Sequence, residues 1–190
     1  MNGHFARFYE DDVSFSEVLI GYLGNGLEDG ESCIVLATKP HREILEERLR
    51  GRVRLKAADA TYGGRYLALD AAETLASIMV DGWPDEERFR ETIGGLIAQA
   101  RKAGNGQVRL FGEMVNLLFA EGAPEKSIAL EKLWNQLATE QKFFLFCSYF
   151  TQTPHFEKNR AALADICKLH TAICVPSTSS FSGIQRPRFF

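Results

Sequence analysis

The chain has 190 residues, of which 45% are hydrophobic and 25% charged, and its formal net charge is -3 at pH 7. This length allows one domain with a buried core, and the composition is that of an ordinary globular protein. The lysines and arginines are scattered, so nucleic acid is not expected as a direct partner. A secretory signal and long apolar runs are both absent, so no membrane partner is expected either.

The four cysteines are dispersed along the chain and lie inside apolar segments; they are Cys33, Cys147, Cys167 and Cys174. Such cysteines usually behave as small buried side chains in a reducing compartment. We therefore expect a cytoplasmic location.

Apolar runs of strand length alternate with longer amphipathic stretches. Strands are predicted at residues 4–10, 32–38, 107–111, 142–150 and 171–176, with short candidates at 53–57 and 65–69. Helices are predicted at residues 15–27, 40–51, 71–82, 85–104, 123–141 and 156–170, with a further apolar helix after Glu113. This alternation predicts an α/β fold with a mainly parallel sheet covered by helices on both faces.

The last stretch of the chain differs in composition from the rest. Residues 177–190 are rich in Ser, Gly and Pro and have no helical pattern. We expect one domain over residues 1–176 and a flexible C-terminal tail over 177–190. The phenylalanines of this tail are candidates for docking on a partner.

Polar residues follow the predicted strands at their carboxyl ends, where open parallel sheets usually bind ligands. Seven of them are the predicted ligand-binding residues: Tyr9, Glu10, Thr38, His41, Glu113, Cys147 and Tyr149. Each also has a structural interpretation. Glu113 could cap the helix that follows it, His41 could be solvent-exposed, and the tyrosines and Cys147 could belong to the core. By the same reasoning Asp70 is predicted to cap a helix.

Several chemistries lack the residues that they need. Cys167 and His170 could share a helix face, but no second pair at ligand spacing completes a metal site, so none is predicted. Neither a nucleophile elbow nor a phosphate-binding loop is present. The segment "YEDDVSFSE" has four acids and neither glycine nor lysine, so it would repel a triphosphate. We expect no catalytic residues, no enzyme activity and no cofactor.

Motifs in the same order along the chain resemble those of the MEDS domain, the methanogen/methylotroph DcmR-type sensory domain. They are "HFARFYED", "GLEDGESCIVLAT" running into "PHREILEERL", "LALDAAETLASIMVDGWPDEERF", "VRLFGEMVNLLFAEG", "ALEKLWNQL", "FLFCSY" and "ICKLHTAICVP". Together they cover roughly residues 3–176. Each motif is weak by itself, but the ordered set is specific.

The resemblance implies a three-layer α/β domain that is related to KaiC and RecA-like ATPases and has lost the phosphate-binding loop. Members are thought to sense small molecules, with simple hydrocarbon derivatives proposed, and are often joined to histidine kinase or DNA-binding modules. The characteristic positions in this sequence would be His4, Tyr9, Glu10, Gly112, Glu113, Trp134, Cys147, Tyr149 and His170. His4 and His170 are expected at the opposite edge of the sheet, where structural and ligand-binding roles both remain open.

The leading hypothesis is a stand-alone sensory or regulatory domain of bacterial or archaeal signal transduction that binds a small ligand at the carboxyl edge of the sheet. Only the short tail follows the predicted domain, so the output would pass through a separate histidine kinase or transcription regulator, or through self-association. A second hypothesis is a protein–protein interaction module that regulates such a partner without a ligand. A third is a residual nucleotide-binding enzyme with Glu113 as a water-activating base.

Overall fold

The computed structural model describes residues 3–52 and 64–174. The short strand predicted at 53–57 and the tail at 177–190 lie outside these ranges. The end of the last predicted strand, at 175–176, also lies outside them.

Eight strands and seven α-helices alternate in the described residues. The strands are β1 (Gly3–Tyr9), β2 (Ser32–Ala37), β3 (Tyr66–Asp70), β4 (Met79–Val80), β5 (Trp83–Pro84), β6 (Val108–Gly112), β7 (Phe144–Phe150) and β8 (Ala172–Cys174). The helices are α1 (Asp12–Glu28), α2 (Lys39–Arg52), α3 (Ala71–Ser77), α4 (Glu86–Ala103), α5 (Met114–Ala120), α6 (Pro124–Glu140) and α7 (Arg160–Lys168). A 3₁₀ turn (Glu157–Asn159) precedes α7.

Six strands form one sheet in the order β3-β2-β6-β7-β1-β8, and every pair in it is parallel. Parallel neighbours need crossover connections, and the helices supply them. The predicted fold class is therefore confirmed: the molecule is a three-layer α/β domain with a parallel sheet between two helical layers.

The two faces of the sheet bury separate hydrophobic clusters. In β2, Ile34 and Leu36 pack with residues of α3 to α7, whereas Cys33, Val35 and Ala37 pack with α1 and α2. All five side chains are fully buried. Successive side chains of a strand point to opposite faces, so a strand between two helical layers is apolar throughout.

The helix predicted over residues 71–82 is shorter in the structure and ends at Ser77. Asp81 and Gly82 both have positive φ angles, 49° and 77°, and join β4 to β5 in a two-residue hairpin. An Asp-Gly pair is a preferred sequence for such a turn. The apolar residues after Ser77 therefore belong to a hairpin. The Asp-Gly pair indicated this turn, but the helical spacing of the apolar residues led to the wrong prediction of a longer helix.

Aspartate side chains determine where several helices begin. Asp11 accepts a hydrogen bond from the backbone N–H of Ser14 at 2.8 Å, so α1 begins at Asp12, earlier than the apolar pattern predicts. Asp70 accepts from the N–H groups of Ala72 and Glu73 at 2.9 and 3.1 Å, which confirms its predicted role as a cap. These bonds satisfy backbone donors that have no partner within the helix.

The strand order predicts a crevice between β2 and β6. These strands are neighbours, but α2 leaves β2 on one face of the sheet and α5 leaves β6 on the other. Chain segments that diverge in this way leave space outside the carboxyl ends of the strands, where α/β proteins usually bind ligands. Thr38 and Glu113 are the first residues beyond the two strands, so both lie at this crevice.

None of the helices in residues 3–52 and 64–174 combines the length and apolar character that a membrane span requires.

A pair of glycine substitutions tests the packing between α4 and β2. A Cβ on Gly104 would lie 2.8 Å from the Gly30 carbonyl oxygen and 3.1 Å from the Ser32 nitrogen. We expect Gly104→Ala to lower the free energy of unfolding by about 1–3 kcal/mol in urea denaturation, because backbone must shift. Gly95→Ala, on an exposed face of α4 with open space around it, should instead add about 0.5–1 kcal/mol. Equal stability of the two variants would contradict this packing.

Candidate functional site

Glu113 is a buried carboxylate, with 1% of its surface exposed. Its Oε2 accepts a hydrogen bond from the backbone N–H of Thr38 at 2.7 Å, and its Oε1 contacts His41 Nδ1. Its own backbone N–H donates to the Leu36 carbonyl at 2.9 Å. The side chain thus connects the end of β6 to the start of α2, and both of its oxygens have partners.

The structure excludes the interpretation of Glu113 as a cap of its own helix. Glu113 occupies the N-cap position of α5, but its side chain makes no capping hydrogen bond there. The carboxylate instead lies at the start of the neighbouring helix α2, where an acid meets free N–H groups and the positive end of the helix dipole. The expected contact between the Glu113 carboxylate and the start of a helix is present, but the helix is α2 rather than α5.

His41 connects Glu113 to the surface. Its side chain is 12% exposed, with Nδ1 on Glu113 and Nε2 3.4 Å from Oδ1 of Asp12. Asp12 is the first residue of α1 and is 61% exposed. The imidazole therefore spans from a buried acid to an exposed one, so the interpretation of His41 as a free surface residue is wrong.

Aromatic rings surround His41 on the side of α1. Tyr9 stacks on Phe15 with ring centroids 4.1 Å apart, and the Phe15 ring lies 5.4 Å from that of His41. The Tyr9 ring lies 6.4 Å from His41 in an edge-on arrangement. Tyr9 and Phe15 are both buried. A polar pair thus lies beside an apolar wall, which is the usual composition of a small-molecule site.

The charges at this site shift the pKa values of its members in one consistent way. Burial disfavours the charged form of His41, but the hydrogen bond to Glu113 and the charges of Glu113 and Asp12 outweigh it, so the pKa of His41 is raised. Burial raises the pKa of Tyr9 strongly, and the charges of Glu113 and Asp12 raise it further, so its hydroxyl stays protonated. The site therefore offers an imidazole whose protonated form Glu113 and Asp12 favour, and a neutral phenol.

The structure brings four of the seven predicted ligand-binding residues together: Tyr9, Thr38, His41 and Glu113. Glu10 is exposed, one residue beyond the end of β1. Cys147 and Tyr149 belong to the other face of the sheet, where they pack with α5, α6 and α7. Asp12 and Phe15, which the sequence did not single out, complete the group around His41.

Cys147 and Tyr149 instead surround a second buried acid, Glu131 of α6, which is fully buried. Tyr149 donates its hydroxyl to Glu131 Oε1 at 2.5 Å, and Cys147 Sγ lies 3.6 Å from Oε2. His4 Nε2 lies 3.1 Å from Oε2, and His170 Nε2 lies 3.3 Å from Oε1. We call His4, Glu131, Cys147 and His170 the Glu131 cluster.

The two histidines lie at the starts of β1 and β8, at the edge of the sheet opposite the His41 site. Their rings pack against each other with centroids 4.0 Å apart. Burial lowers the pKa of His170, but the charge of Glu131 outweighs it and raises that pKa. Burial also raises the pKa of the Glu131 carboxyl, but the charges of His170 and His4 outweigh it and hold that pKa well below its ordinary range.

Gly112 and Trp134, the remaining characteristic positions, lie in the packed core between the sheet and α6. Trp134 is 1% exposed and packs edge-on against Phe89, with ring centroids 4.8 Å apart. A Cβ on Gly112 would approach Trp134 Cζ2 to 3.8 Å. Both residues contribute to packing between the sheet and its helices.

Glu131 is the functional candidate that the sequence did not single out, although a signal for it was present. Ser127, Leu130, Glu131 and Trp134 are spaced as i, i+3, i+4 and i+7, and all four are buried on one face of α6. A glutamate in an apolar helical face must find a partner, because a buried unpaired charge is costly. Spacing alone could not identify that partner, since the residues around Glu131 come from three distant segments.

The fold and the His41 site together define the class of protein. It is an open α/β domain with polar residues gathered beyond β2 and β6, where the helices that follow the two strands leave on opposite faces of the sheet. The family model described as MEDS, the methanogen/methylotroph, DcmR sensory domain, matches residues 3–171. The chain therefore belongs to the MEDS family of sensory domains, which confirms the resemblance found in the sequence. No curated protein matches the chain.

The pair formed by His41 and Glu113 should make stability depend on pH. The folded-state pKa of His41 is raised above its ordinary value of 6.5. The stability that this pair contributes is therefore fully present below about pH 6.5 and is lost as the pH rises through the folded-state pKa. We expect the difference in unfolding free energy between wild type and His41→Gln to shrink from pH 6 to pH 9 in urea denaturation. A difference that stays constant or grows over this range would contradict the pairing.

Proposed function

We propose that this chain is a sensory domain of prokaryotic signal transduction that binds a small molecule at the His41 site, defined as Tyr9, Asp12, Phe15, His41 and Glu113. The observation that carries the proposal is the His41 imidazole, held by a buried acid on one nitrogen and directed toward the surface with the other. Membership of a sensory family supports the regulatory role. The crevice between β2 and β6 supports the location.

The contact between His41 and Asp12 is the replaceable part of the site. Its distance is 3.4 Å and Asp12 is largely exposed, so water weakens it, whereas the contact with Glu113 is buried. A ligand with a hydrogen-bond acceptor would take the place of Asp12 on Nε2. Asp12 is the first residue of α1, so its release would remove a contact between α1 and His41 of α2 and carry the signal.

The chemistry of the site favours a small, mostly apolar ligand with one or two polar atoms. The rings of Tyr9 and Phe15 offer an apolar wall, and His41 and the Tyr9 hydroxyl offer hydrogen bonds. A simple hydrocarbon derivative such as an alcohol or carboxylic acid has these features. A triphosphate is highly negative, so the carboxylates of Glu113 and Asp12 would repel it.

The role is regulatory rather than catalytic in this proposal, and the partner is a histidine kinase or a transcription regulator. The cytoplasmic location and the relationship to KaiC and RecA-like domains stay predictions from the sequence. The same holds for self-association.

Ligand binding can be tested with two matched glutamate substitutions. A compound retained by the protein from its native host, identified by native mass spectrometry, would be titrated by calorimetry into wild type, Glu113→Gln and Glu43→Gln. Glu113→Gln should weaken binding by about ten- to hundredfold, because the neutral amide no longer orients and charges His41. Glu43 is an exposed residue of the same helix as His41, so Glu43→Gln controls for the loss of one negative charge.

Equal affinity of wild type and Glu113→Gln would show that the retained compound binds elsewhere and would remove the His41 site from the proposal. An equal loss in Glu43→Gln would show that net charge, rather than this site, controls binding.

Partner capture separates the sensory proposal from the interaction module without a ligand. We expect a chain truncated before residue 177 to keep the ligand affinity of the full chain, because the His41 site lies entirely within residues 9–113. A pull-down with the full and truncated chains, each with and without the retained compound, measures the second property. If each chain captures the same amount of partner with and without the compound, the result would favour the interaction module.

A further inference from the structure

The Glu131 cluster takes no part in the proposed ligand site and lies on the other face of the sheet. Its four side chains come from β1, α6, β7 and the segment before β8. Each offers one nitrogen, oxygen or sulfur atom, and these four atoms all lie within 4.8 Å of one another. Residues from four distant elements thus converge on one point in the core.

Three distances in the cluster are close to those between the ligands of a tetrahedral metal ion. His4 Nε2, Cys147 Sγ and Glu131 Oε2 form a triangle with edges of 3.1, 3.4 and 3.6 Å. With metal–ligand bonds of about 2.0–2.3 Å, the edges of a tetrahedron are roughly 3.3–3.7 Å. His170 Nε2 lies 3.3 Å from the other oxygen of Glu131 and within 4.8 Å of the other ligand atoms, so a small shift of this ring would bring it to the fourth corner.

Both imidazoles are oriented as metal ligands are. His4 Nδ1 lies 3.0 Å from Asn135 Oδ1, and the Asn135 amide is fixed by its bond to the Leu169 carbonyl. His170 Nδ1 lies 2.7 Å from the Ile166 carbonyl oxygen. Both acceptors require a proton on Nδ1, which directs each Nε2 into the cluster, and ligating histidines almost always have such a partner on the outer nitrogen.

His170 supplies a second, independent observation. Its side chain is fully buried, and its Nε2 lies 3.3 Å from Glu131 Oε1 but forms no hydrogen bond of acceptable geometry within the described residues. A buried polar atom without a hydrogen bond is rare in native structures and needs an explanation. A cation at the centre of the cluster would give this nitrogen a partner.

We propose that the Glu131 cluster is a Zn²⁺ site. Two imidazoles, one thiolate and one carboxylate form a ligand set that suits Zn²⁺ and does not suit Mg²⁺ or Ca²⁺, which prefer oxygen ligands. On binding, the Cys147 thiol and any protonated Nε2 of His4 and His170 lose their protons to solvent. The thiolate and the Glu131 carboxylate then balance the two positive charges of the ion, so the buried site has no net charge.

Four protein ligands fill the coordination shell, so the site is of the structural type rather than the catalytic type. The ion would join β1, α6, β7 and the start of β8. A pocket lined by His4 and Asn135 lies beside the cluster. Metal binding would therefore stabilise the fold directly, as it does in other closed zinc sites.

The test begins with the full-length protein stripped of metal by a chelator and then titrated with Zn²⁺ against a competing chromophoric chelator. We expect one equivalent to bind with a Kd below about 1 μM, and the melting temperature to rise with Zn²⁺ concentration. Co²⁺ as a probe should give the intense visible bands of tetrahedral coordination and a near-ultraviolet band from thiolate-to-metal charge transfer. The absence of stoichiometric binding would overturn the proposal and leave the cluster as an ion pair without metal.

Variants then locate the ion. Cys147→Ser should abolish the charge-transfer band and weaken Zn²⁺ binding at least a hundredfold, whereas Cys167→Ser should change neither. Cys167 is the matched control, because it lies three residues from His170 but outside the cluster. A charge-transfer band that survives in Cys147→Ser and disappears in Cys167→Ser would overturn the assignment.

One further variant guards against unfolding of a protein altered in its core. Asn135 is a half-buried residue whose amide orients His4, so Asn135→Ala keeps all four ligands. We expect it to weaken Zn²⁺ binding about ten- to hundredfold while the cobalt bands remain tetrahedral. Unchanged affinity in a folded Asn135→Ala would contradict a role of His4 as a ligand.

Discussion

A carboxylate removed from water must be paired, and the described part of this domain buries two of them on opposite faces of one sheet. Glu113 finds the Thr38 backbone and His41, and Glu131 finds Tyr149, Cys147 and two histidines. A buried acid that loses its partner costs several kcal/mol, roughly, so each acid requires its surroundings to be in place. The positions of α2 and α6 against the sheet therefore depend on these two side chains as well as on apolar packing.

The two acids differ in their access to solvent, and this difference separates the functions that we propose for them. Glu113 reaches the surface through His41 and the exposed Asp12, so a small molecule can compete for one end of that chain of contacts. Glu131 is enclosed by three side chains, those of His4, Cys147 and His170, whose ligand atoms lie close to its own. The His41 site suits reversible binding of a ligand at the carboxyl ends of the strands. The Glu131 cluster suits a permanently bound, stabilising ion. A sensory domain needs both a mobile contact at its site and a stable core beneath it.

The sequence predicted the parallel sheet and the helices on both of its faces, because these follow from the alternation of apolar runs and amphipathic stretches along the chain. The apolar run of β2 indicated a strand buried on both faces, and Asp70 was correctly assigned as a cap. The hairpin after Ser77 was missed because its apolar residues continue a helical spacing. The predicted site was only partly assembled, since strand alternation sends Cys147 and Tyr149 to the face opposite Tyr9. Glu131 could be recognised as an anomaly in α6, but its partners depend on tertiary contacts that no spacing encodes.

Binding of a small molecule at His41 should change the environment of the imidazole ring. Nitrogen NMR of the histidine rings measures this change. The protein has four histidines, which can be assigned one by one through single substitutions. When the compound retained from the native host is added, we expect the Nε2 resonance of His41 to shift and those of His4 and His170 to stay in place. Shifts confined to His4 and His170, or an unchanged His41, would contradict it.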